Sequence, residues 1–373
     1  MTDEPIVVDI PPVYCPIRPA VHPLLRDIQR RSEEWIGQFA FWSEGDGPPS
    51  ARDSNYGEMA ARMAPDGILE RLQLCSDWYH LGGVWDEGYD RLPAADAARG
   101  LGQLAEMTVK IIRTFRVPAA GLLPPPDPFN AALGDIADRL HRMTTPVQRH
   151  RIIDGQLDWL VSMAWEAAGK ARTELPSLPD YTAQRLYTVG GTAFTVWLEA
   201  LNGLEMPDKE WDSPSTRALT EIAGLIVAFD NDLYSYAKDL WFHRHRDVLP
   251  LNCISVLAAD LGCSVPEAID RAVRIRDRFM CLFLSLRSQI TPRASSDLEG
   301  YLIGLGHFIR ANIDFGNASA RYSNPDGASP HTTRSPLHIS DTPSDRSLEP
   351  VGIPHIAWWW QQLDAPGTVR NLV

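Results

Sequence analysis

The sequence predicts an all-α protein, and three observations carry that expectation. Apolar residues recur at helical spacing along most of the chain from His22 onward, and Pro, Gly and Asp/Ser signals separate those stretches. No run alternates apolar and polar residues in the way of a half-buried strand.

Residues 1–20 come first and contain Pro11, Pro12, Pro16 and Pro19, whose fixed φ and missing N–H favour an extended strap over a helix. Helices are expected near 23–41, 55–64, 68–91 and 98–116, before the turn signals of Pro118 and Pro124–Pro126. Helices near 128–142 and 146–171 follow, ending ahead of Leu175–Pro179. A helix near 180–203 contains Val189-Gly190-Gly191, which should break it. After Met206–Pro214 come 214–242, then 265–290 beyond Cys263–Pro266, and finally 294–321. These helices define one domain over residues 21–322. Residues 323–350 are rich in Ser, Pro, Thr, Asp and Arg, a composition that predicts a disordered linker. In the last segment, 351–373, Trp358, Trp359 and Trp360 form an apolar cluster. Such a cluster docks on the domain, or serves as a lid or partner-binding peptide.

Composition narrows the function. Across 373 residues the net charge is −13, which argues against nucleic acid or an anionic membrane as partner. An anionic substrate would therefore need local neutralisation by metal or by clustered Arg and Lys. The five cysteines are scattered without a C-x-x-C pair, so free thiols in a reducing compartment are expected. Met1–Ile10 lacks the basic-then-apolar pattern of a signal peptide, and no uncharged apolar run approaches the length of a membrane span. A cytoplasmic protein without membrane insertion is the expectation.

The most informative segment is Asn231-Asp232-Leu233-Tyr234-Ser235-Tyr236-Ala237-Lys238-Asp239. Asn231, Ser235 and Asp239 stand at i, i+4 and i+8, each displaced about 40° around a helix from the last. They present an amide, a hydroxyl and a carboxylate on one stripe, which suits a hard cation that also keeps bonds to phosphate and water. Lys238 adds a point charge for the same anion. The preceding run Ile222–Phe229 is strongly apolar, so the polar stripe continues a helix that should be buried, where unpaired polar groups are costly.

This segment resembles the second metal motif of class I terpene synthases, Asn/Asp-Asp-Leu/Ile-x-Ser/Thr-x-x-Lys/Arg-Glu/Asp, at every specified position. Upstream, Asp86 and Asp90 lie at i and i+4 in Trp85-Asp86-Glu87-Gly88-Tyr89-Asp90. That stretch resembles the family's first motif, Asp-Asp-x-x-Asp, with Glu87 departing from it. Arg185 lies 46 residues before Asn231, at the spacing of the family's diphosphate-sensing arginine, and Arg321-Tyr322 resembles its C-terminal diphosphate-binding pair.

The resemblance spans roughly residues 20–322. It implies metal ligation by Asp86, Asp90, Asn231, Ser235 and Asp239, with three magnesium ions. It also implies that Arg185, Lys238, Arg321 and Tyr322 trigger closure around diphosphate. An isoprenyl diphosphate would ionise and its carbocation cyclise in an apolar, aromatic cavity. Candidate wall residues are Trp78, Gly82, Gly83, Trp85, Val189, Gly190, Phe194, Trp197, Phe308 and Phe315. A homodimer is the family's common form.

Gly82 and Gly83 stand where related bacterial cyclases often carry aromatics, and Phe308 and Phe315 where tryptophans often occur. The volume removed favours twenty-carbon geranylgeranyl diphosphate, ahead of fifteen-carbon farnesyl and ten-carbon geranyl diphosphate. A chain-elongating prenyltransferase would carry a second Asp-Asp-x-x-Asp in place of Asn231, Ser235 and Asp239. A non-catalytic isoprenoid-binding protein is the remaining alternative.

Overall fold

The computed structural model describes residues 4–39, 55–90, 97–120, 127–169, 174–244, 249–325 and 332–363, without side chains at 84–90, 97–98 and 120. Its helices are α1 (Leu25–Gly37), α2 (Tyr56–Met63), α3 (Leu69–Asp90), α4 (Ala97–Arg116), α5 (Pro128–Met143), α6 (Pro146–Gly169) and α7 (Leu178–Thr188). The chain continues through α8 (Gly191–Thr195), α9 (Trp197–Asn202), α10 (Asp208–Trp211), α11 (Pro214–His243), α12 (Cys253–Leu261), α13 (Val265–Ile290) and α14 (Ser296–Ala318).

At the centre lies α11. The Ser213 hydroxyl accepts the Thr216 N–H at 3.2 Å, and Pro214 occupies the first turn, where a missing N–H costs nothing. From Ile222 to Phe229 every side of this helix is buried. A helix apolar all round must be enclosed by its neighbours, and here α13 and α14 pack against it. Asn231, Ser235 and Asp239 emerge from the C-terminal half of that same rod.

The helix expected over 180–203 is three pieces. Gly190 adopts φ 76°, a left-handed conformation that L side chains resist, and α7 stops beside it. α12 was not expected: its nine residues are too few and too uniformly apolar to show a helical period. Asn252 caps it by accepting the Ile254 N–H at 3.0 Å, and Gly262 ends it at φ 60°.

The expectation of a disordered 323–350 linker is corrected over the described residues 332–350. β3 (Thr333–Arg334) pairs in parallel with β1 (Ile6–Val7), and β4 (Ile339–Ser340) pairs with β2 (Val13–Tyr14). The register sets Ile6 against Thr333 and Tyr14 against Ser340. Ser and Thr lowered the apolar content that sequence reasoning weighs, yet backbone pairing and hydroxyl bonds hold the segment. The N-terminal strap is anchored in turn, since Asp277 accepts the Tyr14 N–H at 2.9 Å. Neighbouring Arg276 is fully buried and binds Asp230 at 2.7 and 3.1 Å.

Residues Pro354–Gln362 form a 3-10 turn docked on α7 and α11. Within it Trp359 is fully buried, donates to Glu221 at 2.7 Å and meets Phe279 edge-on at 5.8 Å. Docking on the domain is thus what the structure shows for the tryptophan cluster. Among the described residues no helix is long and apolar enough to cross a membrane.

Candidate active site

A cavity of about 830 Å³ opens among α2, α3, α6, α7, α8, α11 and α14. Its deep wall is aromatic. Tyr79 packs on Phe194 at 4.1 Å, Phe194 stacks on Phe308 at 5.7 Å, and Phe315 stacks on Tyr56 at 5.9 Å. Trp78, Gly82, Gly83, Val189, Gly190, Phe194, Phe308 and Phe315 all line it, as expected from the sequence. Trp197 does not. It is buried in the core, because α9 turns it away after the break at Gly190.

The glycines on α3 act through their neighbours. A Cβ on Gly83 would collide with the Tyr56 ring and hydroxyl, so this glycine permits a close approach and leaves no void. A Cβ on Gly82 would meet the Trp159 ring at 3.4 Å, an ordinary contact. Part of the space that the sequence reading assigned to the cavity is therefore taken by Tyr56 and Trp159.

At the mouth, Arg185, Asn231, Ser235, Lys238, Asp239, Arg321 and Tyr322 share one rim. Ser235 donates to Asp239 Oδ2 at 3.0 Å, and Asn252 donates to the same oxygen at 2.9 Å. Burial raises the Asp239 pKa, against the lowering effects of Lys238, Asn252 and Ser235. A cation beside this carboxylate would offset the desolvation. Three oxygen side chains, one of them a half-buried carboxylate, thus fit a hard divalent metal. Among the described residues no cluster of three His, Cys, Asp or Glu forms a metal site, and the stripe differs from such clusters in having one carboxylate. The α3 backbone continues through Asp86 and Asp90, but their side chains, with that of Trp85, lie outside the described residues.

Facing the stripe, Arg185 donates to Asn231 Oδ1 at 2.6 Å and to Asp232 Oδ1 at 2.9 Å. Burial alone works against the guanidinium charge, and Asp232 reverses this, holding the Arg185 pKa well above its usual value. Across the mouth, the Lys238 ammonium sits 5.2 Å over the Tyr322 ring, and Arg321 donates to the Tyr56 hydroxyl at 3.1 Å. Three cationic side chains from three elements, Arg185, Lys238 and Arg321, thus line the same cavity as Asn231, Ser235 and Asp239.

Sequence reasoning missed several residues that position this set. Asp232 is buried, and its second oxygen accepts the Tyr181 hydroxyl at 2.6 Å and the Cys253 N–H at 3.0 Å. It borders the same cavity, but its carboxylate is taken up by Arg185 and Tyr181 of α7 and by the first N–H of α12. Tyr234 accepts from Asn231 Nδ2 at 2.8 Å and donates to Asn312 at 2.9 Å. Gln156 accepts the Trp78 indole N–H and donates to the Ala193 carbonyl, both at 2.9 Å. The one available signal was an excess of polar types inside apolar runs.

Comparison with known proteins gives the family. The model of terpene synthase family 2, C-terminal metal binding, matches residues 77–280. Phomopsene synthase of Allokutzneria albata is 35% identical over 96% of this chain and 99% of that relative. Diterpene cyclase DtcycA of a Streptomyces species is 30% identical over 98% of this chain and 100% of its own length. The crystal structure of the SVS_A2 protein from ancestral sequence reconstruction superposes with a TM-score of 0.80, at 33% identity, over 95% of this chain and 99% of that one. The family model spans more than half the sequence and the relatives nearly all of it: the chain belongs to the bacterial class I terpene synthases, metal-dependent enzymes that act on prenyl diphosphates.

Proposed function

We propose that this enzyme is a magnesium-dependent diterpene cyclase that ionises geranylgeranyl diphosphate and cyclises the resulting cation. The observation that carries the reading is one cavity with two chemistries. An oxygen-rich, cationic rim surrounds the mouth, and Trp78, Tyr79, Phe194, Phe308 and Phe315 form the walls beyond it. Asn231, Ser235 and Asp239 would hold magnesium, together with Asp86 and Asp90 as the resemblance implies, and three ions are the expected complement. When bound, that metal supplies Lewis-acid neutralisation of the diphosphate leaving group.

The chain's own residues do the remainder. Arg185, Lys238, Arg321 and Tyr322 donate to the departing diphosphate, and their convergence draws the rim closed against water. The aromatic walls hold the extended prenyl chain folded and present ring faces to the migrating positive charge. A water-poor cavity matters because water would capture the cation early.

Two considerations bear on chain length. A cavity of about 830 Å³ is generous for a small ligand, which supports twenty carbons. Against this, Trp159 and Tyr56 occupy space beside Gly82 and Gly83, which favours fifteen carbons as the second reading. Kinship does not separate them. DtcycA and a T-muurolol synthase of Streptomyces clavuligerus that cyclises farnesyl diphosphate are each 30% identical to this chain.

Purified protein incubated with magnesium and geranyl, farnesyl or geranylgeranyl diphosphate, with and without isopentenyl diphosphate, tests the proposal. Cyclic twenty-carbon hydrocarbon or alcohol from geranylgeranyl diphosphate alone is expected, and chelation of the metal should abolish it. Exclusive turnover of farnesyl diphosphate would replace the chain-length assignment. Longer diphosphates formed only with isopentenyl diphosphate would identify an elongating enzyme, and no turnover with any substrate a binding protein.

A further inference from the structure

The segment after Tyr322 does more than finish the chain. β3 runs extended, so Thr333 and Ser335 project to one side while Arg334 projects to solvent. Both hydroxyl residues are buried. Ser335 Oγ donates to the Tyr234 carbonyl of α11 at 2.6 Å, and the Ala237 N–H approaches the same hydroxyl at 3.5 Å. A helical carbonyl has a second lone pair beyond its i+4 partner, and Ser335 uses it. Thr333 Oγ1 donates to the Tyr322 carbonyl at 2.7 Å.

These two carbonyls belong to the two halves of the rim. Tyr234 holds Asn231 through its phenol and lies against the Tyr322 ring at 4.6 Å. Tyr322 follows Arg321, and its hydroxyl accepts from Asn231 Nδ2 at 3.4 Å. The strap is itself fixed. β1 pairs along it, and Asn317 both donates to the Leu337 carbonyl at 2.8 Å and accepts the Leu337 N–H at 2.9 Å.

We propose that Ser335 and Thr333 are positioning residues, through which the C-terminal strap sets the distance between the metal stripe on α11 and the Arg321–Tyr322 turn. This rests on the terpene cyclase reading of the same rim. The strap bridges the two backbone segments whose side chains are proposed to meet the metal and the diphosphate, α11 and the Arg321–Tyr322 turn. Loosening either bond lets the Arg321–Tyr322 turn shift against α11, and displacements on the order of 1 Å in such a set cost up to about a hundredfold in rate.

Ser335→Ala, Thr333→Val and Thr333→Ser test this through ligand binding as well as turnover. The binding readout is thermal stabilisation by inorganic diphosphate, followed as a function of magnesium concentration. Ser335→Ala and Thr333→Val are expected to raise the magnesium midpoint about three- to tenfold, the scale of one lost hydrogen bond. The same variants should lower kcat more than they change KM and speed amide exchange over residues 231–239. Thr333→Ser should restore wild-type values. Unchanged midpoints in the first two variants, or a loss that Thr333→Ser does not repair, would overturn the proposal. So would failure of the variants to fold, because a purely structural role would then suffice. A wild-type protein that shows no magnesium-dependent response to diphosphate would fail the cyclase reading itself, a result distinct from unaffected variants.

Discussion

The guanidinium of Arg185 donates to the side-chain oxygen of Asn231 at 2.6 Å. One contact therefore joins the residue expected to sense diphosphate to a residue expected to bind metal, and a cation held by Asn231 would compete with Arg185 for that oxygen. Arg185 would keep its ion pair with buried Asp232 in either case.

Arg185→Ala should lower kcat by about 10²- to 10³-fold, as expected when a donor to developing charge is lost. Magnesium affinity should be unchanged or stronger, because the competition for Asn231 is gone. Steady-state kinetics with geranylgeranyl diphosphate and a calorimetric magnesium titration check both halves. Weaker magnesium binding in this variant would refute the competition.

Asp232→Ala should destabilise the fold by about 3 kcal/mol, since it strips the partner from a largely buried guanidinium. The Tyr181 hydroxyl and the Cys253 N–H lose their acceptor at the same time. Urea unfolding should show a lower midpoint at an unchanged slope. A shift below about 1 kcal/mol would place Asp232 among ordinary exposed pairs.

The two α3 glycines should respond differently. Gly82→Ala meets Trp159 at normal contact distance and should change stability by less than about 1 kcal/mol. Gly83→Ala drives into Tyr56, the partner of Arg321, and should cost about 1–3 kcal/mol together with turnover. Gly82→Phe must displace Trp159 and should suppress the longest accepted substrate first. Thermal melts and competition between farnesyl and geranylgeranyl diphosphate separate these outcomes.

Trp359→Ala should cost about 3–5 kcal/mol, through a cavity beside Phe279 and the loss of the indole donor to Glu221. Burial already raises the Glu221 pKa, with the Trp359 hydrogen bond opposing it. Trp359→Phe should recover most of the packing and little of the polar contact. A melting temperature unchanged in Trp359→Ala would show that the docked tail contributes nothing to stability.

The polar stripe of Asn231, Ser235 and Asp239 was legible in the sequence because these residues repeat at the helical period and follow an unbroken apolar run. The break at Gly190 was legible for a similar reason, since paired glycines leave a local mark. Asp232 was not, because its importance lies in what α7 and α12 bring to it from distant parts of the chain. Thr333 and Ser335 were hidden by composition. A segment short of apolar residues reads as unstructured until the backbone it pairs with is known. Trp197 shows the opposite error, a large aromatic that helical register places in the core and not on the cavity wall.

The pairing of β1 with β3 also constrains the order in which the molecule can be completed. Thr333 leaves the ribosome long after its partner Ile6. At roughly 5–20 residues per second, the N-terminal strap waits on the order of 20–60 s for its neighbour. The central bundle can collapse in the meantime, whereas the edge that braces Tyr234 and Tyr322 arrives only after the last helix has been made. Catalytic competence should therefore appear late, after most of the helical signal, and a nascent chain paused before β3 should be folded yet inactive.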